Sequence, residues 1–265
     1  MENHAAYPFP WRKFFSEMIG TGLLLLVGLS LVIFMFGEGS PMNRIIPNVT
    51  VRRIITGFLF GSVGGLISLS AVGKESGAHL NPVVTLGFRF YGKVDNRTSL
   101  IYILAQLTGA VLFCLPLLLW GELGRSISFG ATVPGAGYKP EVVLLGEIIT
   151  TFCLVFLLIM FLAFRSVRPY TPLLSPFLYA IMVPLEAAIS GTSTNPARSL
   201  GPSVISGQWD GWWIYWIGPL IGGILAWRIG KRIAKRITVA KLYHFDIDRD
   251  GYFRNISSGK TNNSQ

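Results

Sequence analysis

Long apolar blocks separated by short polar stretches dominate the chain, and the blocks are of membrane-crossing length. A spanning helix needs about 20 predominantly apolar residues, so the pattern predicts helices at about 14–36, 51–72, 99–120, 141–164, 173–190 and 211–230. Two polar stretches following the second and fifth blocks do not read as surface loops. Ile189–Pro202 holds Asn195, Arg198, several hydroxyl side chains, two glycines and two prolines between apolar neighbours. Irregular polar backbone at membrane depth is tolerated only where protein buries it or where it lines a water-filled cavity. Asn195-Pro196 is a helix-start signal, because Asn caps well and Pro fits a first position whose N–H is unpaired anyway. Ser76–Gly87 carries Asn81-Pro82 in the same place. Two short helices are therefore expected to begin inside the bilayer, over 81–91 and 195–205, each with its positive dipole end at the asparagine.

The halves of the chain echo each other. Ser16-Glu-Met-Ile-Gly-Thr resembles Gly146-Glu-Ile-Ile-Thr-Thr and aligns Glu17 with Glu147; Pro82 aligns with Pro196, and Tyr102–Gly109 with Tyr215–Gly222. With three spans per half, the second copy must be inverted relative to the first, an arrangement that places a solute site near the midplane at the repeat interface. The expected organisation is an N-terminal segment 1–13, a first repeat 14–120, a connecting loop 121–140, a second repeat 141–230 and a basic, polar tail 231–265. The fold class is thus an all-α membrane protein with six transmembrane helices plus two embedded half-helices. Glycines in the second and sixth spans are most simply close-packing positions.

Composition agrees with this picture. Hydrophobic residues make up 51% and charged residues 14% of 265, and the mean hydropathy is +0.52, values of a membrane protein rather than a soluble domain. The formal charge of +10 gains meaning from its placement. With the N-terminus inside, 17 of 23 Lys and Arg fall inside, nine of them at or after Arg228. The positive-inside rule therefore places both termini in the cytoplasm, with Arg52 and Arg53 as exceptions, and the protein in a cell (plasma or inner) membrane. No basic domain stands apart from the spans, so nucleic acid is not an expected partner. Cys114 and Cys153 lie in apolar blocks and read as small buried residues, not a disulfide framework. The first apolar block has no convincing cleavage site and reads as a span, not a signal peptide.

Two half-helices entering from opposite faces would bring Asn81 and Asn195 together at the bilayer centre. Their NH₂ donors, backed by unpaired backbone N–H groups, would orient a passing water, and the converging positive ends would repel cations and the hydrated proton. Nothing in that arrangement does covalent chemistry, so no enzyme, cofactor or metal is expected. His4, His79 and His244 are scattered and form no metal-spaced set.

Over roughly residues 12–230 the sequence resembles the aquaporin (major intrinsic protein) family, through Ser76-Gly-Ala-His-Leu-Asn-Pro and Asn195-Pro-Ala-Arg-Ser-Leu-Gly-Pro. The resemblance implies a pore in each subunit of a homotetramer, Arg198 at an outer constriction, Glu17 and Glu147 holding the half-helix loops, and His79 supporting the inner loop. Pore diameter, lining donors and an electrostatic barrier would then set selectivity. Departures from the family pattern bear on the solute. Val83 stands where Ala is usual. Counting back from the motifs puts Gly61, Val183 and Thr192 with Arg198 at the constriction, a small and aliphatic set that would widen it, unless a shift in the second helix brings Phe60 there instead. Ser199 and Tyr215-Trp216 resemble water-type members and point the other way. Water is the expected permeant, with small neutral solutes such as glycerol, urea or ammonia as the alternative and the lipid bilayer as the surrounding partner.

Glu186, three residues past Val183, is an ionisable residue in a span. It either lines the outer vestibule, holds the loop carrying Arg198, or accepts from backbone N–H groups of 190–194. Asp246–Gly251 has the first half of a calcium-loop spacing, but position 12 is Ser257 and no exit helix follows, so a solvated acidic turn is expected. An ion-coupled transporter is the main rival of another class, since inverted repeats and broken helices serve both. Its relay would have to use Glu17, Glu147 and Glu186, and the first two are matched repeat positions, which points to structure.

Overall fold

The computed structural model of the chain describes residues 9–234. Among these there are helices and no strands. The principal helices are α1 (Trp11–Phe36), α2 (Val49–Leu69), α3 (Pro82–Phe90), α4 (Asn96–Cys114), α5 (Pro140–Ala163), α6 (Thr171–Glu186), α7 (Pro196–Ser206) and α8 (Ile214–Ile233). Six of them span and two, α3 and α7, are half-helices. By length and composition alone, α1, α2, the stretch Asn96–Arg125 and α5 are long and apolar enough to cross a membrane. The other two spans depart from that rule for visible reasons: α6 has 16 residues and internal Pro176 and Pro184, and α8 ends in Lys231 and Arg232. The acidic turn at 246–251 and most of the basic tail lie outside the described residues.

Local chemistry sets the helix starts. The Asn48 carboxamide accepts from Val51 N–H at 3.1 Å and the Asp95 carboxylate from Thr98 N–H at 2.7 Å. Both satisfy first-turn donors that have no partner inside the helix. Two expected helices break early. The second stops at Leu69 and restarts as Ala71–Ser76, with Ser70 capping Gly73 N–H at 3.2 Å. The third tightens to a 3₁₀ turn over Leu115–Trp120, where Pro116 removes one donor from the ladder.

α1 packs along α4, α5 along α8, and α2 along α6. The first two pairings are equivalent in the two repeats, and the third joins the repeats across their interface. In that central pair Gly57, Gly61 and Gly65 form a row along α2. A methyl at each would meet the carbonyl oxygen of Tyr179, Ser175 or Pro172 at 2.3, 2.4 and 2.5 Å. Pro176 frees the Pro172 carbonyl, since its ring nitrogen cannot donate back along the helix.

The repeats interlock through the half-helices. Val83, Val84 and Phe88 of α3 are buried against Val155, Leu158 and Ile159 of α5 and Trp227 of α8. Ala197 of α7 is buried with Leu25, Leu29 and Ile33 of α1 and Ala110 and Cys114 of α4. Each half-helix thus completes the core of the other repeat. Val83 is fully buried and has a specific counterpart: a methyl on Gly223 would lie 2.5 Å from its Cγ1. The larger residue at the midplane is accommodated by a missing side chain on α8. Gly223→Ala is therefore expected to lower stability by about 1–3 kcal/mol through overpacking. Val83→Ala should restore most of the loss in the double variant, measured as the unfolding temperature in detergent.

Candidate functional site

Each half-helix is launched from a strained loop. Before α3, Gly77 (φ 98°), Ala78 (54°) and Leu80 (52°) are left-handed; before α7, Gly191 (85°), Thr192 (54°) and Thr194 (55°) repeat the pattern. A non-glycine residue there costs of order 1–3 kcal/mol, so the surroundings must hold it in place. Glu17 and Glu147 do so. Glu17 accepts from the Ser76 hydroxyl (2.6 Å) and from His79 and Leu80 N–H (2.9 and 2.8 Å). Glu147 accepts from the Ser190 hydroxyl (2.5 Å) and from Ser193 and Thr194 N–H (2.7 and 2.9 Å). Tyr102 donates to Ser76 O at 2.8 Å and Tyr215 to Ser190 O at 3.0 Å. The match fails at one place. Gln106 donates to Glu17 at 2.7 Å, but four residues after Tyr215 stands Pro219, which has no such donor.

At the centre the two loops are tied reciprocally. Asn81 Nδ2 donates to Thr194 O at 3.0 Å and Asn195 Nδ2 to Leu80 O at 2.9 Å. Each carboxamide oxygen caps its own half-helix, accepting from Val83 N–H at 2.9 Å and Ala197 N–H at 3.0 Å. Pro82 and Pro196 occupy the first helical turns, where no donor is lost. A carboxamide has two N–H groups, so each asparagine retains one after this tie.

Two cavities meet along this axis. The inner one, 80 Å³, is walled by Asn81, Asn195, His79, Gly61, Leu154 and Leu174, among others. The outer one, 240 Å³, is walled by Arg198, Thr192, Val183, Gly57 and Arg53, among others. Phe60 and Tyr179 belong to both walls. Their ring centroids are 6.3 Å apart.

Arg198 is buried and donates from Nη1 to Gly130 O at 2.8 Å. Its guanidinium carbon lies 5.8 Å from the Phe60 ring centre, within cation–π range. Phe60 rather than Gly61 is therefore the position of α2 beside Arg198. The reason is the glycine row: Gly61 points at the α6 backbone, where no side chain fits, and borders only the inner cavity. Phe60 is turned the other way and rests on Gly28 of α1, where a methyl would lie 2.5 Å from the ring. Of the two alternatives for this position, Gly61 and Phe60, the ring is thus the one beside Arg198.

The other expected residues take varied places. Thr192 and Val183 line the outer cavity, and Thr192 Oγ1 is buried without a hydrogen-bond partner among the described residues. His79 stacks on Phe88 at 4.3 Å and its Nδ1 is 3.2 Å from Thr85 Oγ1, a supported loop residue that also borders the inner cavity. Ser199 faces neither cavity. Its hydroxyl joins Thr132 (2.7 Å) and Ser193 (2.5 Å). Tyr215 and Trp216 also lie outside both walls. Glu186 is buried at the end of α6, its Oε1 2.7 Å from where a Gly146 methyl would sit. Neither carboxylate oxygen has a hydrogen-bond partner among the described residues. Its backbone carbonyl accepts from Ile189 and Ser190, and its carboxylate faces the Ser190 hydroxyl and the Thr192 N–H and hydroxyl of the following loop from beyond hydrogen-bond distance.

Sequence reasoning missed two contributors. The connecting loop offers the Gly130 carbonyl and Thr132 hydroxyl, anchored by Phe129, which is buried beside α1 and α4. Phe129, a large apolar side chain between Ser128 and Gly130, was the available signal. Tyr179 is the other. It lies four residues before Val183, one turn deeper on the same face. Among the described residues, no group of His, Cys, Asp and Glu side chains is disposed to hold a metal.

This inverted pair of repeats around a twice-lined axis defines a membrane channel. The Major intrinsic protein profile matches residues 4–229. The chain is 34% identical over 216 residues to "Aquaporin TIP4-2" of Zea mays, covering 79% of this chain and 80% of that protein. It is 33% identical over 212 residues to "Aquaporin NIP1-1" of Zea mays, covering 79% and 70%. Its fold matches that of the aquaglyceroporin from Plasmodium falciparum with a TM-score of 0.68 at 21% identity, over 85% of this chain and 97% of that one. The chain belongs to the major intrinsic protein family.

Loss of the loop-holding carboxylates should be unequal in cost. Glu17→Ala orphans the donors of Ser76, His79, Leu80 and Gln106, whereas Glu147→Ala orphans those of Ser190, Ser193 and Thr194. At about 1–3 kcal/mol per orphaned buried donor, both are expected to destabilise severely, Glu17→Ala more so. Thermal unfolding of the two purified variants in one detergent makes the comparison.

Proposed function

We propose that the protein is a passive water channel, driven by osmotic gradients and closed to protons and ions. The observation that carries this reading is the reciprocal tie of Asn81 and Asn195 in the wall of the inner cavity. Each asparagine offers a remaining N–H to water at the positive end of a half-helix, which orients the water oxygen toward the donors and repels cations. Arg198 adds a fixed positive charge above, and Thr192 and Val183 complete the outer wall. An aromatic ring beside Arg198 favours water over larger solutes, although Ser199 and Tyr215-Trp216, which line neither of the two cavities, lend this choice no direct support. The family's homotetramer, a plasma or inner membrane location with cytoplasmic termini, and an outward-facing Arg198 belong to the same reading. The distribution of Lys and Arg supports the orientation.

A broader channel for glycerol, urea or ammonia is the second reading. Its support is the aliphatic Val183 in the outer wall.

Stopped-flow light scattering on proteoliposomes separates the two. Water flux well above that of empty vesicles, with slow glycerol and urea uptake, is expected. Rapid uptake of either solute by the unaltered protein would establish the broader channel instead. Arg198→Ala is expected to retain water flux and to raise urea uptake by about tenfold, the scale of one lost discriminating contact. Proton flux that tracked solute flux would mark a coupled transporter and sink the channel reading.

A further inference from the structure

The two cavities share a wall one helical turn before Val183. Phe60 and Tyr179 stand in the walls of both cavities, so whatever passes between the outer 240 Å³ and the inner 80 Å³ must pass these two rings. A centroid separation of 6.3 Å with planes tilted by 39° is a contact distance for aromatic rings, which pair at about 4.5–7 Å. We propose that Tyr179 is a specificity-determining residue of this pore, forming with Phe60 a second constriction that sets the size of solute admitted. The inference rests on the channel reading given above.

Both rings are held from behind. Phe60 lies against the bare face of Gly28. Tyr179 is carried by the stretch of α6 that approaches α2 most closely, its own carbonyl lying 2.3 Å from where a Gly57 methyl would be. Its hydroxyl is fixed as well. Tyr179 Oη is 2.5 Å from Thr194 Oγ1, and Thr194 Oγ1 donates its hydrogen to Ser193 O at 2.7 Å. The hydrogen between the two hydroxyls therefore belongs to the tyrosine, which donates to Thr194. A phenolic oxygen with its hydrogen so engaged still has acceptor capacity. Thr194 in turn gives its carbonyl to Asn81 and its N–H to Glu147. Tyr179 is thus tied to the loop that joins the half-helices, and it supplies an acceptor near the point where the asparagines supply donors. The ring limits girth, and the oxygen offers a hydrogen-bond partner to a molecule small enough to pass.

The ring and the hydroxyl are separable. Proteoliposomes carrying the full chain are compared as wild type, Tyr179→Val, Tyr179→Leu and Tyr179→Phe, with water, urea and glycerol permeabilities normalised to protein in the membrane. Removing the ring is expected to raise glycerol permeability relative to water by at least about tenfold, a steric discrimination of the size a few methylenes provide. Tyr179→Phe keeps the ring and should keep glycerol out while slowing water. An unchanged glycerol-to-water ratio in both aliphatic variants overturns the proposal, and so does glycerol uptake through Tyr179→Phe as fast as through Tyr179→Val. Wild-type vesicles that shrink no faster than empty ones would remove the channel reading itself, an outcome distinct from either.

Discussion

Backbone N–H groups cannot be left unpaired inside a membrane, yet a helix that begins at the midplane exposes several of them. In this structure the buried carboxylates Glu17 and Glu147 absorb that constraint. Each sits at the crook of a loop whose residues alternate into the left-handed region, and each collects two consecutive backbone donors and a serine hydroxyl. The strain in the loop and the burial of the charge are separately unfavourable; together they offset each other, because the kinked backbone turns its N–H groups toward the carboxylate. The asparagine tie, the half-helix direction and the position of Arg198 all follow from where those two loops are pinned.

A second constraint shapes what surrounds the loops. The row of glycines on α2 lets the α6 backbone come to within contact of the α2 axis. Side chains that would otherwise fill the interface are displaced to either side, and Phe60 and Tyr179 are the two that line both cavities. Glycines and pore aromatics are thus two aspects of one packing decision. The connecting loop closes the same region from above, through the Gly130 carbonyl on Arg198 and the Thr132–Ser199–Ser193 hydroxyl chain.

Much of the architecture was legible in the chain. The apolar blocks give the helices to within a few residues, and the paired Asn-Pro motifs give half-helices that begin at Pro82 and Pro196. Matched positions are legible because the repeat states them twice. What sequence counting could not give was rotation. Neighbouring residues on a helix point about 100° apart, so a misjudgement of one position exchanges Gly61 for Phe60. The glycines announced close packing, but not that the packing face would be the one counted as pore. Tyr179 was hidden for a related reason: attention to the single family position at Val183 left the next turn of the same face unread. Ser199 and Tyr215 stand apart from the path, since residues that track a type of channel can do so through loop anchoring without touching it.

The exchange of half-helices between repeats carries a consequence for how the chain is made. Val83 and Phe88 meet Val155 of α5 only about 70 residues later in synthesis, and Trp227 of α8 about 140 residues later. Until then the first half-helix, with its polar loop, has half of its socket. The membrane machinery must therefore shelter an unfinished polar re-entrant segment while most of the chain is still being threaded, and topology can be settled well before the interior is dry.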